Sequence, residues 1–140
     1  MNREELKQIL PHREPMLLVD EAELGEDGVA RGSYRVRGDE WFLQGHFPGN
    51  PIVPGVVQCE IIAQAACVLF AEELRHSTPL YTSIDKVRFK GQVKPGDRLD
   101  LEIRLRRTKG PFYFTEGKAM VEGKLVASGE FSFALIRKDS

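Results

Sequence analysis

The feature that most constrains this chain is one long helix that is apolar on almost every face. Residues 55 to 75, GVVQCEIIAQAACVLFAEELR, contain no internal proline and many helix-forming residues. Because apolar side chains surround the first turns, we expect this helix to be enclosed by protein rather than half exposed. The other elements of the chain must therefore wrap around it.

The segments on either side of the helix have the alternation and turn residues of strands. Residues 15–24 and 29–38 predict two strands joined by the turn GEDG, after a short amphipathic helix that ends at Pro11. Four more predicted strands follow the helix, at 81–93, 97–110, 111–123 and 124–136. This order predicts a single α+β domain over residues 1–140, with a largely antiparallel sheet wrapped around a central helix.

Charge and hydropathy exclude several classes of protein. The formal net charge of −1 argues against a dedicated nucleic-acid binder. The N-terminus lacks the apolar core of a signal peptide, and the longest apolar stretch, Ile61 to Ala71, is too short to span a bilayer. Cys59 and Cys67 are about 12 Å apart along the helix, out of disulfide reach. We expect both to be reduced, as suits a cytoplasmic protein.

A histidine lies in the loop before the helix, within the stretch GHFPGNPIVPG at residues 45–55. The three glycines and three prolines of this stretch restrict the backbone path, which indicates that something is held in place there. A neutral imidazole can accept a proton at cellular pH. His46 is therefore a candidate general base, and a histidine that only caps loop carbonyls is the alternative.

A single glutamate interrupts the apolar helix. At about 100° per residue, Glu60 shares a stripe with small and apolar residues and with Gln64 one turn later. A buried carboxyl group must be neutral or hydrogen-bonded, and Gln64 has the spacing to help. Since desolvation raises a carboxyl pKa, Glu60 is a candidate general acid. A buried glutamate paired with an arginine is the alternative.

The helix begins at Gly55, directly after Pro54. Free N–H groups of a first helical turn favour developing negative charge, and a glycine there permits close approach of a substrate carbonyl. A base, an acid and an oxyanion site together predict proton abstraction beside a carbonyl, coupled to loss or addition of a β-substituent. These residues do not name the substrate.

Two motifs give the chain a family resemblance. LPHREPMLLVD (10–20) followed by GHFPGNPIVPGVVQCEIIAQAA (45–66) closely resembles the β-hydroxyacyl-acyl-carrier-protein dehydratases of the FabZ type. Those proteins carry L-P-H-R-x-P-x-L-L-V-D and then G-H-F-P-G-x-P-x-x-P-G-V…E-x-x-A-Q. The resemblance spans almost the whole chain and implies the hot-dog fold, in which a sheet wraps around a long helix.

The resemblance also implies roles for individual residues. His46 would remove the C2 proton of a (3R)-3-hydroxyacyl thioester, Glu60 would protonate the departing 3-hydroxyl directly or through water, and the Gly55 N–H would hold the thioester oxygen. The product would be a trans-2-enoyl thioester, and no cofactor is needed. The further residues expected to contact the substrate are Gln64, Phe47, Val56 and Phe89.

The departures from the family pattern are mild. Asn50 stands where many members have histidine, and Met16 stands where many have phenylalanine. The sister group that also isomerises the double bond has aspartate at the Glu60 position, so Glu60 favours a dehydratase without isomerase activity. His12 is expected to belong to the signature rather than to the chemistry. No ligand-spacing motif supports a metal site that would unite His12, His46 and Glu60.

The segment 86–109 is basic, with nine Lys and Arg against three Asp and Glu. Lys86, Arg88 and Lys90 alternate along a predicted strand and so share a face, which leaves Val87 and Phe89 to point inward, toward an acyl tunnel. This face is either a solvated sheet surface or a docking site for acyl carrier protein, which is acidic.

The resemblance further implies a homodimer in which each active site takes its histidine from one subunit and its glutamate from the other. We expect a hexamer built as a trimer of dimers, in the cytoplasm, without nucleic acid or membrane as partners. Two alternatives stay open. One is a hot-dog thioesterase acting on acyl-CoA, and the other is a non-catalytic acyl-binding or assembly subunit.

Overall fold

The computed structural model describes residues 1–45 and 49–138, and in it one antiparallel sheet curls around the central helix. The strands are β1 Glu21–Leu24, β2 Val29–Arg35, β3 Ser77–Phe89, β4 Arg98–Lys109, β5 Phe112–Val121 and β6 Lys124–Arg137. The helices are α1 Arg3–Leu6, α2 Gly55–Ala65 and α3 Ala71–Leu74, with 3-10 turns at Trp41–Leu43 and Ala66–Phe70. All neighbouring strands are antiparallel, in the order β1-β2-β4-β5-β6-β3. The predicted α+β architecture is confirmed.

The central helix is not continuous, contrary to the prediction. The α-helical hydrogen bonding of α2 gives way to a 3-10 turn at Ala66–Phe70, and Phe70 leaves helical geometry altogether, with φ −141° and ψ 44°. The Phe70 ring packs against Tyr113 and Phe133, with centroids 4.9 Å and 6.1 Å away. The helix thus breaks where this ring packs against the sheet. Helix propensity depends on the residues of the helix itself and therefore does not predict such a contact.

Most of the helix is buried against the sheet, as predicted. Ile61, Ile62 and the two cysteines are buried, and both thiols are free. The segment Gly55–Leu74 is long and apolar enough to cross a membrane by length and composition, but more than half of it is covered by protein. This burial is that of the core helix of a soluble protein. The exception is the start of the helix, where Val56 is 76% exposed.

The first predicted strand starts later than expected, because side chains occupy the backbone groups that a strand would use. The Leu18 N–H donates to Gln64 Oε1 at 2.7 Å, and Gln64 Nε2 donates to the Met16 carbonyl at 2.7 Å. The Arg3 guanidinium donates to two further carbonyls of this segment. These hydrogen bonds hold residues 16–19 across the helix, and β1 begins only at Glu21.

A buried carboxylate anchors the loop that leads toward the predicted base. Glu40 is 4% exposed and accepts hydrogen bonds from the Tyr34 hydroxyl at 2.6 Å and from the N–H groups of Arg37 and Gly38 at 2.9 Å and 2.8 Å. Burial alone would raise the pKa of Glu40, but these donors outweigh it and lower the pKa below its usual range. Glu40 is thus charged in the folded protein near neutral pH.

Replacing Glu40 with glutamine should lower the free energy of unfolding by about 2 kcal/mol at pH 7, because hydrogen bonds to a charged acceptor are lost. A carboxyl group whose pKa is depressed by folding stabilises the native state above its unfolded pKa, and this stability disappears as pH falls through the folded pKa. The difference between wild type and variant should therefore shrink in acid. Urea unfolding at pH 7 and at pH 4 measures the difference in the free energy of unfolding between wild type and variant. An equal difference at the two pH values would contradict a charged Glu40.

Candidate active site

A cavity of about 320 Å³ lies between the N-terminal segment, the central helix and the start of β3. The predicted stripe faces it, since Glu60, Ala63, Gln64 and Cys67 all line its wall. The remaining lining is mostly apolar and comprises Leu10, His12, Met16, Phe70, Leu74, Pro79, Leu80, Tyr81 and Phe133. The cavity therefore combines one carboxylate with walls suited to a hydrocarbon chain.

Three side chains from different parts of the chain meet the Glu60 carboxylate. Gln64 Nε2 donates to Oε2 at 2.8 Å, which is the contact that the helical spacing predicts. The Tyr81 hydroxyl donates to Oε1 at 2.8 Å from β3. His12 Nε2 lies 3.4 Å from Oε2, at ion-pair distance. The Glu60 side chain is 21% exposed, so these neighbours cover most of it.

The expectation that Glu60 has a raised pKa is wrong. Burial acts in that direction, but the His12 ring and the donors of Gln64 and Tyr81 outweigh it and lower the pKa of Glu60 below its usual range. Each of these groups interacts better with the charged carboxylate than with the neutral acid. Glu60 is thus ionised near neutral pH, and an acid role requires that a proton reach it.

Sequence reasoning did not find Tyr81 and set His12 aside. The position of His12 in the PHR motif was the available signal for that residue. Nothing in the sequence indicates Tyr81, which reaches Glu60 across a separation of 21 residues. Burial, followed by the charge of Glu60, strongly raises the pKa of Tyr81. Its phenol therefore keeps its proton and donates to the carboxylate.

The structure does not bring the other predicted substrate contacts into this cavity. Gly55 begins α2, and the Pro54 carbonyl accepts hydrogen bonds from the N–H groups of Val57 and Gln58. The Phe89 ring lies against Gly55, so closely that a Cβ there would be 2.8 Å from Phe89 Cζ. Phe89 is 51% exposed, and neither Phe89, Gly55 nor Val56 lines the cavity that holds Glu60.

His46 and Phe47 lie outside the described residues, so their placement stays a prediction. The glycines on either side of them are described. Gly45 and Gly49 have φ values of 79° and 83°, in the left-handed region that favours glycine. The backbone on both sides of His46 therefore has the special conformation that the glycine-rich stretch indicates.

The basic residues of β3 are exposed, and an extra residue interrupts the strand among them. Asp85 pairs with Glu130 and Arg88 pairs with Ser128, which places two residues of β3 opposite one of β6. Lys86 lies in this β-bulge with φ 52°, and its Nζ is 3.8 Å from Glu130 Oε2. Lys86 and Arg88 thus remain on the outer face of the sheet, while Val87 packs against the core. Lys90 follows the strand and is exposed.

Comparison with known proteins bears on the family. The model of the FabA-like domain matches residues 10–130. The chain belongs to the FabA-like family. A FabA-like relative from Clostridium beijerinckii is 47% identical over 140 residues, covering 96% of this chain and 99% of its own, and is named 3-hydroxyacyl-[acyl-carrier-protein] dehydratase FabZ. A protein of the same name from Caldicellulosiruptor saccharolyticus is 48% identical over 131 residues, covering 91% and 94%. The predicted resemblance is confirmed.

Solved structures confirm the fold of this FabA-like chain. The dehydratase heterocomplex ApeI:P from Xenorhabdus doucetiae superposes with a TM-score of 0.81 at 22% identity, covering 95% of this chain and 91% of that one. The thioesterase superfamily protein RHA08564 superposes with a TM-score of 0.60 at 22% identity, covering 83% and 55%. At such identities the likeness establishes the hot-dog fold alone.

Proposed function

We propose that this FabA-like chain dehydrates 3-hydroxyacyl groups carried on acyl carrier protein to trans-2-enoyl groups, as a step of fatty-acid elongation. The observation that carries the proposal is the Glu60 carboxylate, held by Gln64 and Tyr81, on the wall of a mostly apolar cavity. It occurs in a chain whose relatives at 45–48% identity are named dehydratases of this kind. The apolar walls suit an acyl chain, and the carboxylate supplies the polar group at which a hydroxyl can leave.

The reaction divides between two ends of the site. His46 takes the C2 proton, and the electrons move toward the thioester oxygen, which the first turn of α2 at Gly55 stabilises. The C2–C3 double bond forms as the C3–O bond breaks. The departing oxygen takes a proton from Glu60 and leaves as water. No electron acceptor is consumed, so the reaction balances without a redox cofactor.

A homodimer agrees with the exposed surface of β3. This strand pairs only with β6 among the described strands and so ends the sheet. Its 13 residues expose apolar side chains, among them Leu80, Tyr81 and Ile84. A long unpaired edge with apolar side chains invites a second strand. Pairing two copies through β3 would place one protomer beside the Tyr81–Glu60 contact of the other, as a shared site requires, and three such dimers would form the hexamer.

We place the enzyme in the cytoplasm, where both cysteines stay reduced.

The test follows the ultraviolet absorbance of a trans-2-enoyl-acyl-carrier thioester mixed with the purified protein, together with release of free thiol. Loss of absorbance without thiol release is expected, because the reversible reaction hydrates the double bond. Thiol release would instead identify a thioesterase. Binding of the carrier without either change would identify a non-catalytic subunit.

The outer face of β3 is the proposed docking site for the carrier protein. Reversing the charge in the variant Arg88→Glu should raise KM for the carrier-bound substrate about tenfold, since electrostatic complementarity assists encounter and orientation. KM for a small thioester analogue should not change, because the exposed Arg88 does not line the cavity. Lys124→Glu, at an exposed position that starts β6, is the matched control. Equal effects of Arg88→Glu on both substrates would remove the docking role.

A further inference from the structure

The His12 ring faces Glu60 and has no other polar partner within residues 1–45 and 49–138. His12 Nε2 lies 3.4 Å from Glu60 Oε2, whereas His12 Nδ1 is buried without a hydrogen-bond partner among the residues that the structure describes. The backbone beneath the ring is fixed, because Arg13 donates to the carbonyls of His12 and Leu10 at 2.7 Å and 3.0 Å. The ring is therefore positioned against the Glu60 carboxylate, which is its one polar contact in the described part of the chain.

We propose that His12 supplies the proton that Glu60 gives to the departing hydroxyl group. The inference rests on the proposed dehydratase function and assigns the acid of that site to a pair of residues. An imidazolium beside a carboxylate and a neutral imidazole beside a carboxylic acid differ only in the position of one proton between Nε2 and Oε2. In this proposal His12 acts through Glu60, and Glu60 remains the group that protonates the substrate.

The surroundings of Glu60, which are the His12 ring and then Gln64 and Tyr81, favour its charged form. Its pKa is lowered although burial opposes this, so few Glu60 side chains carry their own proton near neutral pH. Cys67 and Tyr81, which also line the cavity, do not exchange protons near neutral pH. Burial raises the pKa of the Cys67 thiol to about 12, and the Tyr81 phenol has a strongly raised pKa. Imidazole is the side chain that exchanges protons in this range.

The proton balance closes over one turnover. The Nε2 proton of the His12 imidazolium passes to Glu60 Oε2, and Glu60 protonates the 3-hydroxyl, which leaves as water. His46 holds the C2 proton and releases it to solvent, while the His12 side chain, 25% exposed, takes one proton back from solvent. One hydroxyacyl thioester thus gives one enoyl thioester and one water, with both histidines restored.

The variant His12→Gln tests the proposal, because an amide can donate a hydrogen bond to Glu60 but cannot transfer a proton to it. We expect kcat for dehydration to fall at least about tenfold at pH 7.5, with KM changed less than about threefold. The alkaline limb of the kcat profile should also move, since Glu60 must then hold the transferred proton without an imidazole beside it. His76→Gln is the matched control, because the hydrogen bonds described for His76 are made by its backbone.

A second variant, without the glutamine side chain, tests the same proposal. In His12→Ala, added imidazole should restore the rate in a saturable manner and return the alkaline limb toward its original position. An unchanged kcat profile in His12→Gln would overturn the proposal, because the ring would then only hold Glu60 in place. An equal loss at every pH without imidazole rescue would also overturn it in favour of a structural role. An inactive wild type would instead refute the dehydratase function, which the ultraviolet assay reports separately.

Discussion

Replacing Glu60 with glutamine is expected to lower kcat for dehydration about a thousandfold, the range typical of a lost general acid. The amide has the shape of the carboxyl group, to whose two oxygens Gln64 and Tyr81 donate at 2.8 Å. Its oxygen can still accept from Gln64, and its NH2 group can donate to the Tyr81 hydroxyl oxygen. It cannot pass a proton to the leaving oxygen. The loss should therefore fall on kcat, while KM for the carrier-bound substrate stays within a few fold.

Steady-state dehydration at pH 7.5 measures the effect, with circular dichroism to verify the fold. Glu73→Gln is the matched control, since Glu73 is exposed on α3 and does not line the cavity. A Glu60→Gln enzyme that retains wild-type kcat would show that the carboxylate of this cavity does not donate the proton. The acid would then have to be sought elsewhere, and the assignment to the His12–Glu60 pair would fail with it.

Mixing two inactive variants should restore activity if each site takes residues from two subunits. His46→Ala and Glu60→Gln are each expected to lose almost all activity alone. In a mixed dimer, one site would combine His46 of the second variant with Glu60 of the first and so be intact. With random pairing about half of the dimers are mixed and one of their two sites is intact, so about a quarter of wild-type activity is expected.

The experiment requires exchange of subunits, by co-expression or by joint unfolding and refolding. Each variant treated in the same way alone is the control and should remain inactive. Recovery near a quarter of wild-type activity would establish sites shared between subunits. No recovery, with mixed dimers verified by mass spectrometry, would place both residues of each site in one subunit and would remove the functional argument for pairing through β3.

Much of the fold could be predicted from local pattern. Three of the four strands after the helix lie within two residues of where alternation and the Gly- and Pro-containing turns place them, because side chains alternate between faces and turns require special backbone conformations. The exception is β3, which begins and ends four residues earlier than predicted. The buried helix could be predicted from its apolar faces, and Glu60 with Gln64 from helical spacing, since residues four apart are neighbours on a helix. Each of these conclusions depends on residues close together in the chain.

Other features were decided only by tertiary contacts. The helix is interrupted at Phe70, where the ring packs on the sheet, and the first strand is delayed because Gln64 bonds the backbone of residues 16 and 18. Neither event follows from helix or strand propensity, because the competing contact comes from elsewhere in the chain.

The chemistry of Glu60 shows the same division. Its sequence neighbours alone predict a desolvated carboxyl group with a raised pKa, and the folded protein lowers that pKa instead. The reversal comes from Tyr81 on β3 and from His12 before β1, together with the predicted Gln64. The sequence by itself determined that a carboxylate would lie on the helix among apolar walls. The tertiary structure decided its protonation, because the balance between burial and hydrogen bonding depends on which donors the fold brings within reach.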